Sequence, residues 1–238
     1  MSQPDYECKK CNKSYSHAEY TKDPFCSSCG VHLNRKSMSP SPFKVDGLYA
    51  AFMRLEGFTP AEGVCYNNVP LWIAARKKAY SKYREKFAPS RLLSSESWRL
   101  DFKDFLYFKN NQSWTTFTRA GLDVLRDPEQ LKGILLYIQD ESIRIEKRVE
   151  DVLKGDKQLH GVTQNLLTGL FHTFHPDKYG AWSNRSEEAL KRIKRDPIKT
   201  TSVGKNYVAI NEALGKLANE LNTELTTVDA FMWYISKD

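Results

Sequence analysis

Residues 161–190 read Gly161-Val-Thr-Gln-Asn-Leu-Leu-Thr-Gly-Leu-Phe-His-Thr-Phe-His-Pro-Asp-Lys-Tyr-Gly-Ala-Trp-Ser-Asn-Arg-Ser-Glu-Glu-Ala-Leu190. Gly161 permits a tight turn, and Val162–Phe174 is apolar enough to be a buried helix. His175-Pro-Asp177 ends that helix, because a proline cannot continue the ladder. Tyr179–Asn184 then crosses to a new helix whose first turn carries Ser186, Glu187 and Glu188, acids placed favourably against the helix dipole. A glycine-led turn entering a helix also exposes backbone N–H groups that can hold a phosphate.

Outward from this stretch the helical pattern persists. Val45–Leu55 is apolar at helical spacing, Pro70 fits the first turn of a helix over Leu71–Phe87, and Pro89 closes that segment. Trp98–Phe108 is rich in aromatics. Asp127-Pro128 opens a helix through Gln139, Ser142–Leu153 follows as a charged amphipathic helix, and Tyr207–Leu221 repeats apolar residues every three or four positions. Thr227-Val-Asp229 is expected to cap a short aromatic helix through Trp233 and Tyr234. Alternating strand patterns are scarce beyond the N-terminus, so a mainly α fold is expected, a helical domain over 45–238 preceded by a small zinc ribbon over 1–36 and a Ser/Pro-rich linker over 37–44.

The ribbon is expected from the cysteines. Cys8-x2-Cys11 and Cys26-x2-Cys29 are two knuckles that together supply four thiolates, the donor set of a closed structural Zn2+ site. Such a site folds its segment and leaves no coordination position for chemistry. Disulfides are the alternative. No apolar stretch follows Met1-Ser-Gln-Pro-Asp5, so a reducing cytoplasm is the expected compartment and zinc is favoured. The fifth cysteine, Cys65, is expected to be a small buried hydrophobe.

Thirty-six Lys and Arg against 29 Asp and Glu give a net charge of +7, which biases the chain toward polyanions. The basic residues cluster. Arg76, Lys77, Lys78, Lys82 and Arg84 are interleaved with Tyr80, Tyr83 and Phe87, and a second group holds Lys191, Arg192, Lys194, Arg195, Lys199 and Lys205. Cations neutralise phosphates and aromatic faces stack on unpaired bases, so the mixture suits nucleic acid better than a membrane surface; a solvated helix face with its aromatics turned inward is the competing reading. The longest apolar runs, Leu48–Met53 and Ala230–Ile235, are far shorter than the roughly 20 residues a membrane helix needs.

The stretch from Gly161 to Leu190 resembles the second half of the helix-hairpin-helix DNA glycosylase fold, and especially the glycosylase-like domains found beside restriction and phage-defence proteins. The likeness lies in Gly161, in the packed helix after it, and in Pro176-x-x-Tyr179-x-x-Trp182 leading into the next helix. It extends more weakly to Trp98–Arg119 and Val203–Tyr234. Two departures stand out: Gly161-Val-Thr lacks the second glycine of the usual Gly-x-Gly turn, and Ser183-Asn184 stands where the family places a catalytic Asp.

The resemblance implies a protein that extrudes a base, modified in the setting of phage defence, from double-stranded DNA and hydrolyses its N-glycosidic bond. Asn184, Asp177 and Glu187 are then the candidate catalytic residues. Glu188, Asp101 and Asp104 are further acids within reach of the argument. Tyr179, Trp182, His172 and Trp114 would wall the base pocket. Gly161, Arg76, Lys77, Lys78, Lys82, Arg84, Lys191, Arg192 and Lys194 would hold phosphates, and Asn111 and Gln112 would wedge the duplex or read a base edge. The alternative is a non-catalytic modified-DNA reader, for which the missing Asp is the main argument. A protein-interaction role for the ribbon, with incidental basic patches, is a third reading.

Overall fold

The computed structural model describes residues 6–7, 14–15, 34–35, 45–61, 64–112 and 122–237. The chain divides into two units, Met1–Phe43 and Lys44–Asp238. In the first, strands β1 (Tyr6–Glu7), β2 (Ser14–Tyr15) and β3 (Asn34–Arg35) form an antiparallel sheet in the order β2-β1-β3, with Tyr6 opposite Tyr15 and Arg35. Cys8, Cys11, Cys26 and Cys29 lie outside the described residues.

The second unit is mainly helical. It opens with α1 (Val45–Met53) and an antiparallel hairpin of β4 (Glu56–Ala61) and β5 (Val64–Asn68). The hairpin corrects the expectation that strands would be confined to the N-terminus. Gly57 sits at φ +59°, and Phe58 and Tyr66 pair across the strands and pack on Trp72, at 5.4 and 6.2 Å between ring centroids. Cys65 lies on this hairpin with its side chain exposed rather than buried, since the strand's apolar contacts are made by Tyr66.

Helix α2 (Val69–Lys86) begins where Asn68 accepts a hydrogen bond from the Leu71 amide at 3.0 Å, with Pro70 in the first turn. Its buried stripe is Val69, Trp72, Ile73, Arg76, Ala79, Tyr80 and Tyr83, the spacing of one helical face. Short helices α3 (Pro89–Ser94), α4 (Trp98–Phe105) and α5 (Phe108–Asn111) follow. Asp127 caps α6 (Pro128–Gln139), and α7 (Ile145–Leu153) carries the buried Arg148 among Val149 and Val152.

Helix α8 (Gln164–Phe174), capped by Thr163, is buried on nearly every side and forms the centre of the unit between α2 and α6. Helix α9 (Asn184–Arg192) starts at a reciprocal capping box, Ser183 with Ser186. Helix α10 (Val203–Glu220) is capped by Ser202, and Glu150 of α7 accepts from the Ser202 hydroxyl at 2.7 Å and the Gly204 amide at 2.8 Å. Helix α11 (Leu225–Ile235) is buried along almost its whole length against α1, α2, α9 and α10. It begins two residues before Thr227, so Asp229 is not part of its cap: its carboxylate is held inside the fold by Arg76 of α2. No helix among the described residues is long and apolar enough to cross a membrane.

Candidate nucleic-acid site at the start of helix nine

The crossover from α8 to α9 is fastened at almost every residue. Tyr207 donates its hydroxyl to the Gly180 carbonyl at 3.0 Å, the Gly180 amide donates to Asn211 at 2.7 Å, and Thr168 accepts from the Trp182 amide at 2.8 Å. Gly180 lies close to α10: a Cβ there would lie 2.6 Å from Leu214 Cδ1 and would push that side chain aside. The crossover therefore presents the first turn of α9 on a rigid base.

Trp182 is buried, its indole stacked on Tyr207 at 6.2 Å with planes 20° apart, and its Nε1–H donates to Glu187 Oε1 at 2.6 Å. The other carboxylate oxygen of Glu187 pairs with Lys199. Glu187 is thus half-buried and oriented from both sides. It opens, with Asn184, Lys191, Lys199, Ile198 and Ile210, onto a groove of about 610 Å³ between the start of α9, the segment before α10, and α10 itself. Asn184 is exposed at the mouth of that groove, where its amide is free to face solvent.

A second cavity, of about 680 Å³, lies between α2, the turn at 176–178 and α10, with Arg84, Asp177 and Lys178 on its wall. Asp177 is exposed there and does not share the groove that holds Asn184 and Glu187. The three candidate catalytic residues are therefore split between two surfaces.

The expected base-pocket residues are placed differently from expectation. His172 is fully buried, edge-on to Tyr80 at 5.0 Å, with Nδ1 2.6 Å from the Tyr179 carbonyl. Burial holds its pKa below the ordinary value, so the ring is neutral and Nδ1–H donates to that carbonyl. Neither His172 nor Trp182 has a face left for a base. Tyr179 is half-buried and turned away, its hydroxyl within 2.8 Å of Arg148 and 3.0 Å of Glu141. Glu141 gathers Arg148, Lys178 and Tyr179 around one carboxylate. Burial alone would raise its pKa, but hydrogen bonds from Lys178, Tyr179 and Arg148 pull it down to about 2. Trp114 lies outside the described residues.

Several expected DNA contacts are corrected by burial or pairing. Arg76 is fully buried and bonded to Asp229 and to the Tyr80 hydroxyl; burial opposes its charge, but these two partners outweigh burial and keep the guanidinium protonated. It cannot reach a phosphate. Asn111 is buried with Nδ2 donating to the Phe105 carbonyl at 2.8 Å, and Gln112 is tied to Tyr66 and the Lys109 carbonyl. Neither is presented as a wedge. Lys77 pairs with Glu224, Lys82 with Asp104, and Arg192 with Glu188 and the Ile235 carbonyl.

Lys78, Arg84, Lys191 and Lys194 are exposed and have no ion pair among the described residues. Gly161 takes φ +91°, the conformation the tight turn ahead of α8 requires. Arg148, Glu141 and Ile198 were not singled out by sequence, and Asp229 was read there only as part of a helix cap. For Arg76 and Arg148 a signal exists: each occupies an apolar position in its helical stripe, where a cation is stable only with a buried partner. Among the described residues no group of three or more His, Cys, Asp and Glu side chains is arranged to hold a metal ion. No family model matches the chain, and no curated protein or solved structure matches it.

Proposed function

We propose that the helical unit binds double-stranded DNA and reads an extruded base in the groove at the start of α9, without cleaving the glycosidic bond. The observation that carries this reading is the groove itself. It joins an exposed amide, Asn184, and an oriented carboxylate, Glu187, to the cations Lys191 and Lys199 on a surface that does not need to move. An amide offers one donor and one acceptor edge, and a fixed carboxylate accepts from an exocyclic amino group, the pattern that recognition of a flipped base uses. Lys191 lines the groove, and it and the exposed Lys194 and Lys205 are the cations assigned here to phosphates.

Binding without cleavage is supported by Ser183. In the glycosylases this stretch resembles, an Asp near this position stabilises the sugar cation. Here Ser183 is buried, neutral and committed to the capping box with Ser186. The resemblance to restriction and phage-defence domains points to modified phage DNA as the ligand, and the four-cysteine segment is proposed to carry a structural Zn2+. Cleavage is the second reading, and Glu187 favours it: the Trp182 and Lys199 contacts hold its carboxylate in a fixed orientation.

The test incubates the full chain with duplexes containing cytosine, hydroxymethylcytosine or glucosylated hydroxymethylcytosine, with binding and alkali-labile cleavage followed in parallel. Selective binding without cleavage is expected, and affinity should fall steeply with salt. Replacing Lys191, Lys194 and Lys205 with Ala should reduce the slope of log affinity against log salt by about 2 to 3. Alkali-dependent cuts that vanish in Glu187→Gln would establish the second reading, and weak, salt-insensitive binding would remove both.

A further inference from the structure

The cavity of about 680 Å³ between α2 and α10 takes no part in the DNA reading. Glu212, Gly215 and Asn219 of α10 line it, and the start of α11 borders it at the Asn219 end. Seven helical residues rise roughly 10 Å, which sets the distance between its two ends.

At that border α11 begins without a cap. Glu224 holds the N-cap position, but its carboxylate bonds Lys77 of α2 at 2.7 Å and makes no hydrogen bond to the helix. The amides of Leu225 and Thr226, the first two of α11, therefore have no acceptor among the described residues, although both residues are buried. Thr226 is 1% exposed and lines the cavity, and its hydroxyl is likewise without a hydrogen-bond partner among the described residues. Buried donors without acceptors are rare because each one costs stability. Three of them at one end of one cavity form a seat for an anion, and the positive end of the helix dipole favours the same sign.

Gly215 is a second concession at the same place. A glycine inside a helix weakens it, yet a Cβ here would meet nothing within 4 Å. The residue keeps open a floor that a side chain would fill. The other end of the cavity is charged differently. Asp177 and Glu212 lie on the wall there with no ion pair among the described residues, while Lys178 is held by Glu141. They face one unpaired cation, Arg84, two turns along α2 from Lys77.

We propose that this cavity binds a small zwitterion, its carboxylate on the Leu225 and Thr226 amides and the Thr226 hydroxyl, its ammonium toward Asp177 and Glu212. A phosphate suits the seat less well, because its second charge would lie near Glu224 and Lys77 is already paired with that residue. The site is distinct from the groove at the start of α9, which Ile210 of α10 lines, and it stands independently of DNA binding.

The test titrates the full chain with ε-aminocaproate, which carries its two charges at opposite ends, and with caproate and hexylamine, which keep one each. Calorimetry reads the affinities, and thermal melts read the stability of each variant. The zwitterion should bind, and each half should bind at least about tenfold more weakly, the effect of losing one charged, hydrogen-bonded end. Thr226→Val removes the hydroxyl at constant shape, so it should weaken ε-aminocaproate about tenfold and leave the melting temperature of the free chain unchanged or higher. Gly215→Met should abolish binding and raise that temperature, since it fills the floor and strengthens the helix. Gly133→Ala, on α6, should leave the affinity unchanged. No binding of the zwitterion, equal affinities for the three ligands, or full affinity in Gly215→Met would each overturn the proposal. So would a lowered melting temperature in both Thr226→Val and Gly215→Met, because these residues would then serve the fold and not a ligand.

Discussion

Replacing Arg76 by Met is the most informative single perturbation of the fold. Arg76 and Asp229 are 0% and 1% exposed, come from α2 and α11, and are joined directly. The guanidinium also bonds the Tyr80 hydroxyl at 3.1 and 2.6 Å and lies 5.4 Å from the Trp72 ring. Methionine fills a similar volume but leaves Asp229 charged in a dry interior, a situation that costs about 3 to 5 kcal/mol. For a unit of this size that corresponds to a loss of roughly 6 to 20 °C in melting temperature. Asp229→Leu alone should cost about as much, because it strands the cation. The double variant Arg76→Met/Asp229→Leu removes both charges and should recover most of the loss, giving a coupling energy of about 2 kcal/mol or more. Urea denaturation followed by circular dichroism measures all four corners of this cycle. If the single variants cost under about 1 kcal/mol, or the double variant equals the sum of the singles, the pair does not hold α2 to α11. An unchanged DNA affinity in a folded Arg76 variant would confirm that this residue does not grip phosphate.

Three further outcomes are expected. His172 is neutral when folded and its pKa is lowered from 6.5 by burial, so the unfolded chain binds the extra proton and stability should fall as pH drops below 6.5; His175, also lowered, adds to the same slope, and His172→Gln should flatten the change in urea midpoint between pH 7.5 and 5.5. Gly204→Ala should lose roughly 1 to 3 kcal/mol, since its Cβ would stand 2.2 Å from the Glu146 carbonyl oxygen, whereas Gly133→Ala, with nothing within 4 Å, should gain a few tenths; thermal melts distinguish the two. Mass spectrometry of the native chain should find one zinc, released by chelator at a rate that rises in Cys26→Ser.

What could be read from sequence was short-range. Asp127 caps its helix through the Gln130 amide three positions on, as Asp127-Pro128 implies, whereas the caps Thr163 and Ser183 were not recognised as such in the sequence. Asn184 and Glu187 share a helical turn and so share a groove. The groove's far wall, Ile198 and Ile210, depends on how the segment after α9 and helix α10 fold back toward the start of α9, and nothing local encodes that. Arg76 is the clearest loss. Followed directly by Lys77 and Lys78 it resembles part of a phosphate-binding run, and it is Asp229, 153 positions away, that makes it a core residue. The hairpin was hidden for another reason: its strands carry Gly57, Pro60, Asn67 and Asn68, residues that strands disfavour, so the one covered face of Phe58 and Tyr66 leaves little alternation in the sequence to mark it.

The burial of α11 has a consequence for how the protein is made. A ribosome delivers α1, α2, α9 and α10 before the helix that fills the space among them. Until then Trp72, Phe52 and the Arg76 guanidinium lack the partners that α11 brings them, Trp233, Phe231 and Asp229. The nascent chain must therefore hold an incomplete core through most of its synthesis, exposed to chaperones and proteases, and reach its cooperative state only after Trp233 has emerged. Two side-chain hydrogen bonds close the chain across long separations, Tyr49 to Thr223 at 174 positions and Arg76 to Asp229 at 153. Synonymous changes that slow or speed translation ahead of α11 should alter the yield of folded protein without altering a single residue of it.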